Sequence, residues 1–116
     1  MNDHLRRALD AVTRIRGVRG AIVVTGDDGM VVADALMEDV RGDATAALAA
    51  AIALKFGSAA QTTGVGAPHF YHLQGAQGTL LIVPGPSGVL VVVIGDPELN
   101  VGLARLEMLR VAEVVQ

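Results

Sequence analysis

The chain has 116 residues, of which 52% are hydrophobic and 18% are charged, and its formal net charge is −3. This length suits one domain, residues 1–116, with its own core, and is too short for two. The absence of cysteine excludes disulfides and thiolate chemistry, while the 3% aromatic content and the acidic balance argue against a nucleic-acid partner.

We also expect no targeting or membrane-spanning segment. We expect no apolar run of the roughly 20 residues that a bilayer span needs, and Met1 to His4 lack the apolar stretch of a signal peptide. These observations predict a cytoplasmic protein with no membrane insertion. The high apolar fraction predicts either an interface between subunits or a tightly packed monomer. Abundant Ala, Gly and Val, with Lys55 as the only lysine, are typical of a GC-rich bacterial genome.

In chain order, a helix is predicted first, over residues 3–16, with Asn2 or Asp3 as its cap and Gly17 at its end. A strand over residues 20–25, a tight reversal and a partner strand over residues 30–36 follow. The first 20 residues hold five arginines and two aspartates, a balance of +3. We interpret this excess as a solvated helix face, because a nucleic-acid site needs a wider basic surface.

A second helix is predicted from Asp43 to about Gly64, and it lacks a charged face. One side carries an apolar stripe that is expected to pack on the core: Leu48, Ile52, Phe56 and Ala59. The opposite side consists of small residues: Ala46, Ala49, Ala50, Ala53, Gly57 and Ala60. Because small side chains let another backbone approach closely, we predict that this second side is a protein interface, formed in a homodimer.

Three strands and a last helix complete the chain. The strands are predicted over residues 69–74, 79–83 and 89–94, with hairpin-sized gaps between them. The second and third are continuously apolar, which indicates helices on both faces of the sheet. The last helix begins near Asp96 or Asn100. The fold class is therefore α+β, a five-stranded antiparallel sheet between helical layers in the order α-β-β-α-β-β-β-α.

The sequence holds no evident catalytic or ligand-binding motif. A phosphate-binding loop is absent, and Lys55 lies inside a predicted helix. His69 and His72 are three residues apart on a predicted strand, where that spacing places side chains on opposite faces. Asp27 and Asp28 lie in a tight turn without further oxygen ligands for calcium. We therefore expect no catalytic residue, no metal and no cofactor, and a protein that is not an enzyme.

Two segments resemble the roadblock/dynein light chain domain family, in its bacterial form. Residues 18–33 are similar to the opening hairpin of that family, and residues 100–106 are similar to the start of its final helix. The predicted order of elements is also that of the family, whose fold is profilin-like. The resemblance transfers no catalytic residue, and it gives structural roles in turns and caps to Gly20, Asp28, Gly29 and Gly102.

The resemblance also implies partners. It implies a dimer whose sheets join edge to edge and whose second helices lie side by side. Bacterial and archaeal members typically act on, or scaffold, a small Ras-like GTPase, so we expect a non-enzymatic regulator or scaffold that modulates the nucleotide cycle or the location of such a GTPase. The alternative is a small-molecule-sensing module with an internal ligand pocket, against which stands the shortage of polar and aromatic residues.

Overall fold

The structure, a computed structural model, describes residues 3–115 and confirms the predicted α+β class and order of elements. Asn2, one of the two predicted caps of the first helix, lies outside the described residues. A short 3-10 turn at Pro86–Gly88 separates the last two strands. The helices are α1 (Asp3–Thr13), α2 (Gly42–Thr62) and α3 (Val101–Val114), and the strands are β1 (Val18–Thr25), β2 (Val31–Leu36), β3 (Tyr71–Gln74), β4 (Thr79–Pro84) and β5 (Val89–Gly95).

The end of the first helix differs from its predicted bound for a local reason. α1 ends at Thr13 instead of residue 16, because the chain tightens into a turn in which the Val18 amide bonds the Ile15 carbonyl at 3.1 Å. The turn closes through Gly17, whose φ of +94° favours glycine. α3 begins after Asn100, one of the two predicted starts, and the Asn100 side chain accepts a hydrogen bond from the Leu103 amide at 3.1 Å as an N-cap.

The five strands form one antiparallel sheet in the order β2-β1-β5-β4-β3. α1 and α3 cover one side of this sheet, and α2 covers the other. β4 and β5 are covered on both sides, as their continuous apolar runs predicted, since Leu81 to Val83 and Val91 to Val93 are all buried. Ala21 to Val24 of β1 are buried as well. β2 and β3 form the two edges of the sheet.

α2 packs on the sheet with the side opposite to the predicted one. The six residues predicted as an interface are buried or half-buried in the single chain: Ala46, Ala49, Ala50, Ala53, Gly57 and Ala60. Ala46, Ala49 and Ala53 pack against strand residues of the same chain. Leu48 and Phe56, expected in the core, are 56% and 55% exposed. The prediction of the two helix faces is therefore wrong. Large side chains such as Ile22, Ile82 and Val92 fill this side of the sheet, so the helix approaches it closely with its smallest residues.

α2 is also long and apolar enough to cross a membrane by length and composition, with a mean hydropathy of 1.2 over its most apolar 18 residues. The expectation that no apolar segment is long enough to span a bilayer is therefore wrong for α2. Core helices of soluble proteins can have the same length and composition, so these two properties are weak evidence for a membrane span. In this fold the helix is apolar all round because one side packs on the sheet and the other carries large apolar side chains.

Candidate protein interface

The exposed side of α2 is almost free of charge. We call this side the outer face of α2, and its exposed residues are Asp43, Ala44, Ala47, Leu48, Ala51, Leu54, Lys55, Phe56, Ser58, Ala59, Gln61 and Thr62. Leu54 is 71% exposed, and the charged residues of the face are Asp43, in the first turn of the helix, and Lys55. The side of a helix that faces solvent normally presents charged and polar residues. An apolar surface of this kind marks a site of contact with another molecule.

The aromatic side chains of the molecule meet at the border between α2 and β3. A concavity of about 430 Å³ lies there, lined by Phe56, Ala60, Pro68, Phe70, Tyr71, His72 and Leu73. It holds every aromatic residue of types Phe, Tyr and Trp that the sequence contains. Aromatic residues are enriched in the cores of protein interfaces. Sequence reasoning missed this site because Phe56 lies on a helix and its companions follow 14 and 15 residues later.

The two edges of the sheet differ in how accessible their backbone is. At the β2 edge, the Arg6 guanidinium donates a hydrogen bond to the Asp34 carbonyl at 3.3 Å, and the pairing with β1 is interrupted by a bulge between Val23 and Val24. A charged side chain and a bulge both discourage the addition of another strand. β3 carries neither acid, lysine nor arginine, and its Leu73 is 42% exposed. The β3 edge is therefore the more suitable one for pairing.

The hairpin turn between β1 and β2 contains two of the residues given structural roles by sequence. The Asp28 carboxylate accepts hydrogen bonds from the Thr25 hydroxyl and, at 3.3 Å, from the Met30 amide. Both bonds lower the pKa of the Asp28 carboxyl below its usual range, and the bond from Thr25 has the larger effect. Gly29 has a φ of +70°, and a Cβ there would lie 3.0 Å from the Ala47 Cα. The turn thus packs against the start of α2.

Gly20 and Gly102, the other two structural positions, lie in regular elements. Gly20 is inside β1, where a Cβ would lie 2.7 Å from the Leu36 Cδ2 of the neighbouring strand. Gly102 lies in the first turn of α3, where a Cβ would meet only the Asn100 Oδ1 at 3.7 Å. The cap of that helix is Asn100, so Gly102 does not itself supply the capping bond.

This surface carries few side chains of the types that catalyse reactions or bind metals. Among residues 3–115, no group of three His, Cys, Asp or Glu side chains is placed to hold a metal ion. His72 lies on β3, and His69 precedes that strand. The geometry instead suits contact with another macromolecule, through an apolar helix face that adjoins an open strand edge.

Comparison with known proteins finds a matching family model and a similar protein. Residues 5–94 match the sequence model of the Roadblock/LC7 domain. The uncharacterized protein MJ1340 of Methanocaldococcus jannaschii is 34% identical over 113 residues, which cover 95% of this chain and 95% of that protein.

Solved structures share the fold at low sequence identity. A Roadblock/LC7 domain from Streptomyces avermitilis superposes with a TM-score of 0.84 at 20% identity, over 94% of this chain and 92% of that chain. MglB of Myxococcus xanthus gives a TM-score of 0.83 at 21% identity, over 96% of this chain and 90% of that chain. Profilin II of Acanthamoeba castellanii is similar at a TM-score of 0.59 and 14% identity, over 97% and 93% of the two chains. These likenesses confirm the fold class expected from the sequence.

Proposed function

Because the chain belongs to the Roadblock/LC7 domain family, we propose that it is a dimeric, non-enzymatic regulator or scaffold of a small Ras-like GTPase. The observation that carries this proposal is the apolar outer face of α2, which adjoins the open edge of β3. Fold alone does not assign function, so the proposal depends on this surface as well as on the family.

The homodimer forms when two copies pair at β3 and bring their α2 helices together. Phe56 on the helix and Tyr71 and Leu73 on the strand line one concavity, so a second copy seated at the strand edge also covers the flank of the helix. The β2 edge, with its bulge and the Arg6 bond to Asp34, is the less suitable alternative. Pairing at β3 would extend the sheet across the dimer and cover Phe56 and Tyr71 on the α2 side.

The interface assigned by sequence to the small residues of α2 moves to the opposite stripe. Leu48, Ile52, Phe56 and Ala59 recur at helical spacing, and Phe56 places this stripe towards β3. Ile52 is half-buried and packs on the core of its own chain, as expected, whereas Leu48, Phe56 and Ala59 fill the core between two chains. Their exposure in the single chain follows, since Leu48 and Phe56 are more than half exposed.

The GTPase binds to the part of the outer face that the second copy leaves open. Leu54 and Ala51 lie away from β3 on this helix, and Lys55 supplies the single positive charge. A partner surface that is apolar and offers one carboxylate complements such a face. The chain has no loop of its own for binding nucleotide phosphates, so nucleotide binding and hydrolysis belong to the GTPase.

The proposal is tested by co-purifying the chain with a Ras-like GTPase encoded near it, loaded with GTP or with GDP. We expect a complex in at least one state, and we expect Leu54→Arg to abolish it while light scattering still shows a dimer. Leu106→Arg is the matched control, because Leu106 is also half-exposed but lies on α3, on the other side of the sheet. If the wild type forms no complex in either state, the GTPase assignment is wrong.

A further inference from the structure

The side of the sheet that carries α1 and α3 has an uncovered strip along β3. α1 packs over β1 and β2, and α3 packs over β4 and β5, so neither helix lies over β3. Phe70, which packs on the core of this side, lies just before β3, and its ring centroid is 6.3 Å from that of His72. We propose that in the dimer, whose formation is part of the proposed function, two such strips form a trough that binds one acidic amphipathic helix of a partner protein.

The width of this trough follows from the sheet geometry. In a dimer paired at β3, the centres of the two α3 helices are four strand spacings apart, since each lies between β4 and β5 of its own copy. Strands are about 4.8 Å apart, so the two helices are separated by about 19 Å. Packed helices lie about 8–10 Å from each other. One additional helix therefore fits between the two α3 helices and contacts both.

The walls of the trough offer positive charge. The Arg105 guanidinium carbon lies 4.8 Å from the centroid of the Phe70 ring, in a cation–π contact. Arg105 is exposed, and its guanidinium makes no ion pair within residues 3–115. Stacking on the ring holds the planar guanidinium of Arg105 in one orientation. In that orientation it can donate two parallel hydrogen bonds to a carboxylate. The two-fold axis would place one such arginine on each wall.

The floor beside Arg105 is apolar and carries no carboxylate. A concavity of about 320 Å³ between α3 and the sheet is lined by Pro68, His69, Val83, Pro84, Arg105 and Leu109. Leu109 is 41% exposed. The nearest acids on α3 are Glu107, which pairs with Arg110 at 3.4 Å, and Glu113, one turn beyond Leu109. A helix with an apolar stripe towards this floor and carboxylates on both flanks is the complementary occupant.

A recessed trough also distinguishes this occupant from a membrane surface. The floor lies below the two α3 helices, so a flat bilayer would touch the helices without reaching Phe70. Membrane attraction would also draw on the exposed arginines of α1, such as Arg7, which lie away from the trough. The charge of Arg105 and not that of Arg7 is therefore expected to control binding.

The test uses a fluorescent, acetylated and amidated peptide of about 18 residues, with leucines on one helical face and glutamates on both flanks. Fluorescence anisotropy should give one peptide per two chains. Replacing its glutamates by glutamines should weaken binding by about tenfold or more. Arg105→Glu should abolish binding and Arg105→Gln should weaken it, whereas Arg7→Glu, the matched control on α1, should leave it nearly unchanged. Circular dichroism establishes that each variant is folded.

The outcomes separate this inference from the proposed dimer. Light scattering without peptide measures the dimer alone, and a monomer there would contradict the dimer first. A dimer that fails to bind the peptide, or that binds it equally well as Arg105→Glu, overturns the trough. Binding of the glutamine peptide with equal affinity also overturns it. So does binding to phosphatidylserine vesicles that is lost in Arg7→Glu and kept in Arg105→Glu, since that pattern would assign this side to a membrane.

Discussion

The hydroxyl of Tyr71 donates a hydrogen bond to the main-chain carbonyl oxygen of Ala53 across 3.2 Å, and so joins the edge strand β3 to the middle of α2. β3 has four residues and pairs only with β4 among the strands of residues 3–115. A short edge strand with one neighbour is weakly held by its ladder alone. The Tyr71 bond therefore helps to fix the edge at which we propose that the dimer forms.

Tyr71→Phe should lower the free energy of unfolding by about 1 kcal/mol, the usual contribution of one hydrogen bond. Burial raises the pKa of the Tyr71 hydroxyl. A pKa that is higher in the folded state gives stability that is present below the unfolded pKa, about 10, and is lost as the pH rises through the folded value. Urea unfolding at about pH 8 and about pH 10.5 should show a smaller alkaline loss in Tyr71→Phe than in the wild type. Equal losses would contradict this role.

Neighbouring positions on α2 should respond in opposite ways to the same charge. Ala49 is fully buried against the sheet, so Ala49→Arg would bury an unpaired charge at a cost of several kcal/mol and should prevent folding. Leu48 is 56% exposed, so Leu48→Arg should fold normally and give a monomer. Circular dichroism reports the first effect and light scattering the second. A folded Ala49→Arg protein would mean that the helix packs with its other side inward.

The order of elements could be predicted from sequence, but the packing side of α2 could not. Gly and Pro punctuation and continuous apolar strands locate the sheet, because these signals are local. On α2, however, both the Ala49 side and the Leu48 side are apolar, so periodicity does not distinguish them. The choice is made by the bulk of Ile22, Ile82 and Val92 across the contact, which come from three separate strands. For the same reason, the sequence did not predict that Phe56 and Tyr71 line one concavity.

Two glycines with positive φ should differ in their tolerance of alanine. Gly29 and Gly64 have φ values of +70° and +83°, so alanine at either position is strained by about 1 kcal/mol. At Gly29 the new Cβ would also lie 3.0 Å from the Ala47 Cα, whereas at Gly64 it would meet nothing within 4 Å. Gly29→Ala should therefore cost about 1–3 kcal/mol more than Gly64→Ala. Chemical denaturation of both variants measures the difference, and similar losses would show that the turn can move away from α2.

Asp28 should contribute to the acid sensitivity of the hairpin turn. Its pKa is lowered, chiefly by the Thr25 hydroxyl and next by the Met30 amide. A carboxyl whose pKa is lower in the folded state gives stability that is present above the unfolded pKa, about 3.9, and is lost as the pH falls through the folded value. Below about pH 4, the free energy of unfolding of Asp28→Asn should therefore fall less steeply than that of the wild type. Asp39→Asn serves as the control, because no hydrogen bond to the Asp39 carboxylate occurs within residues 3–115. An unchanged acid profile in Asp28→Asn would contradict the assignment.

The last prediction concerns how the proposed dimer would speed GTP hydrolysis. An inserted arginine would need a mobile, exposed donor beside the contact surface, and Arg41, exposed at the N-terminus of α2, is the best-placed one. We expect stimulation to arise instead from ordering of the GTPase's own catalytic residues, so Arg41→Ala should leave the single-turnover rate nearly unchanged. An arginine acting directly on the phosphates contributes about 10³-fold or more. A loss of that size in Arg41→Ala, with the complex still formed, would establish an inserted arginine, whereas Leu54→Arg should remove stimulation through loss of binding.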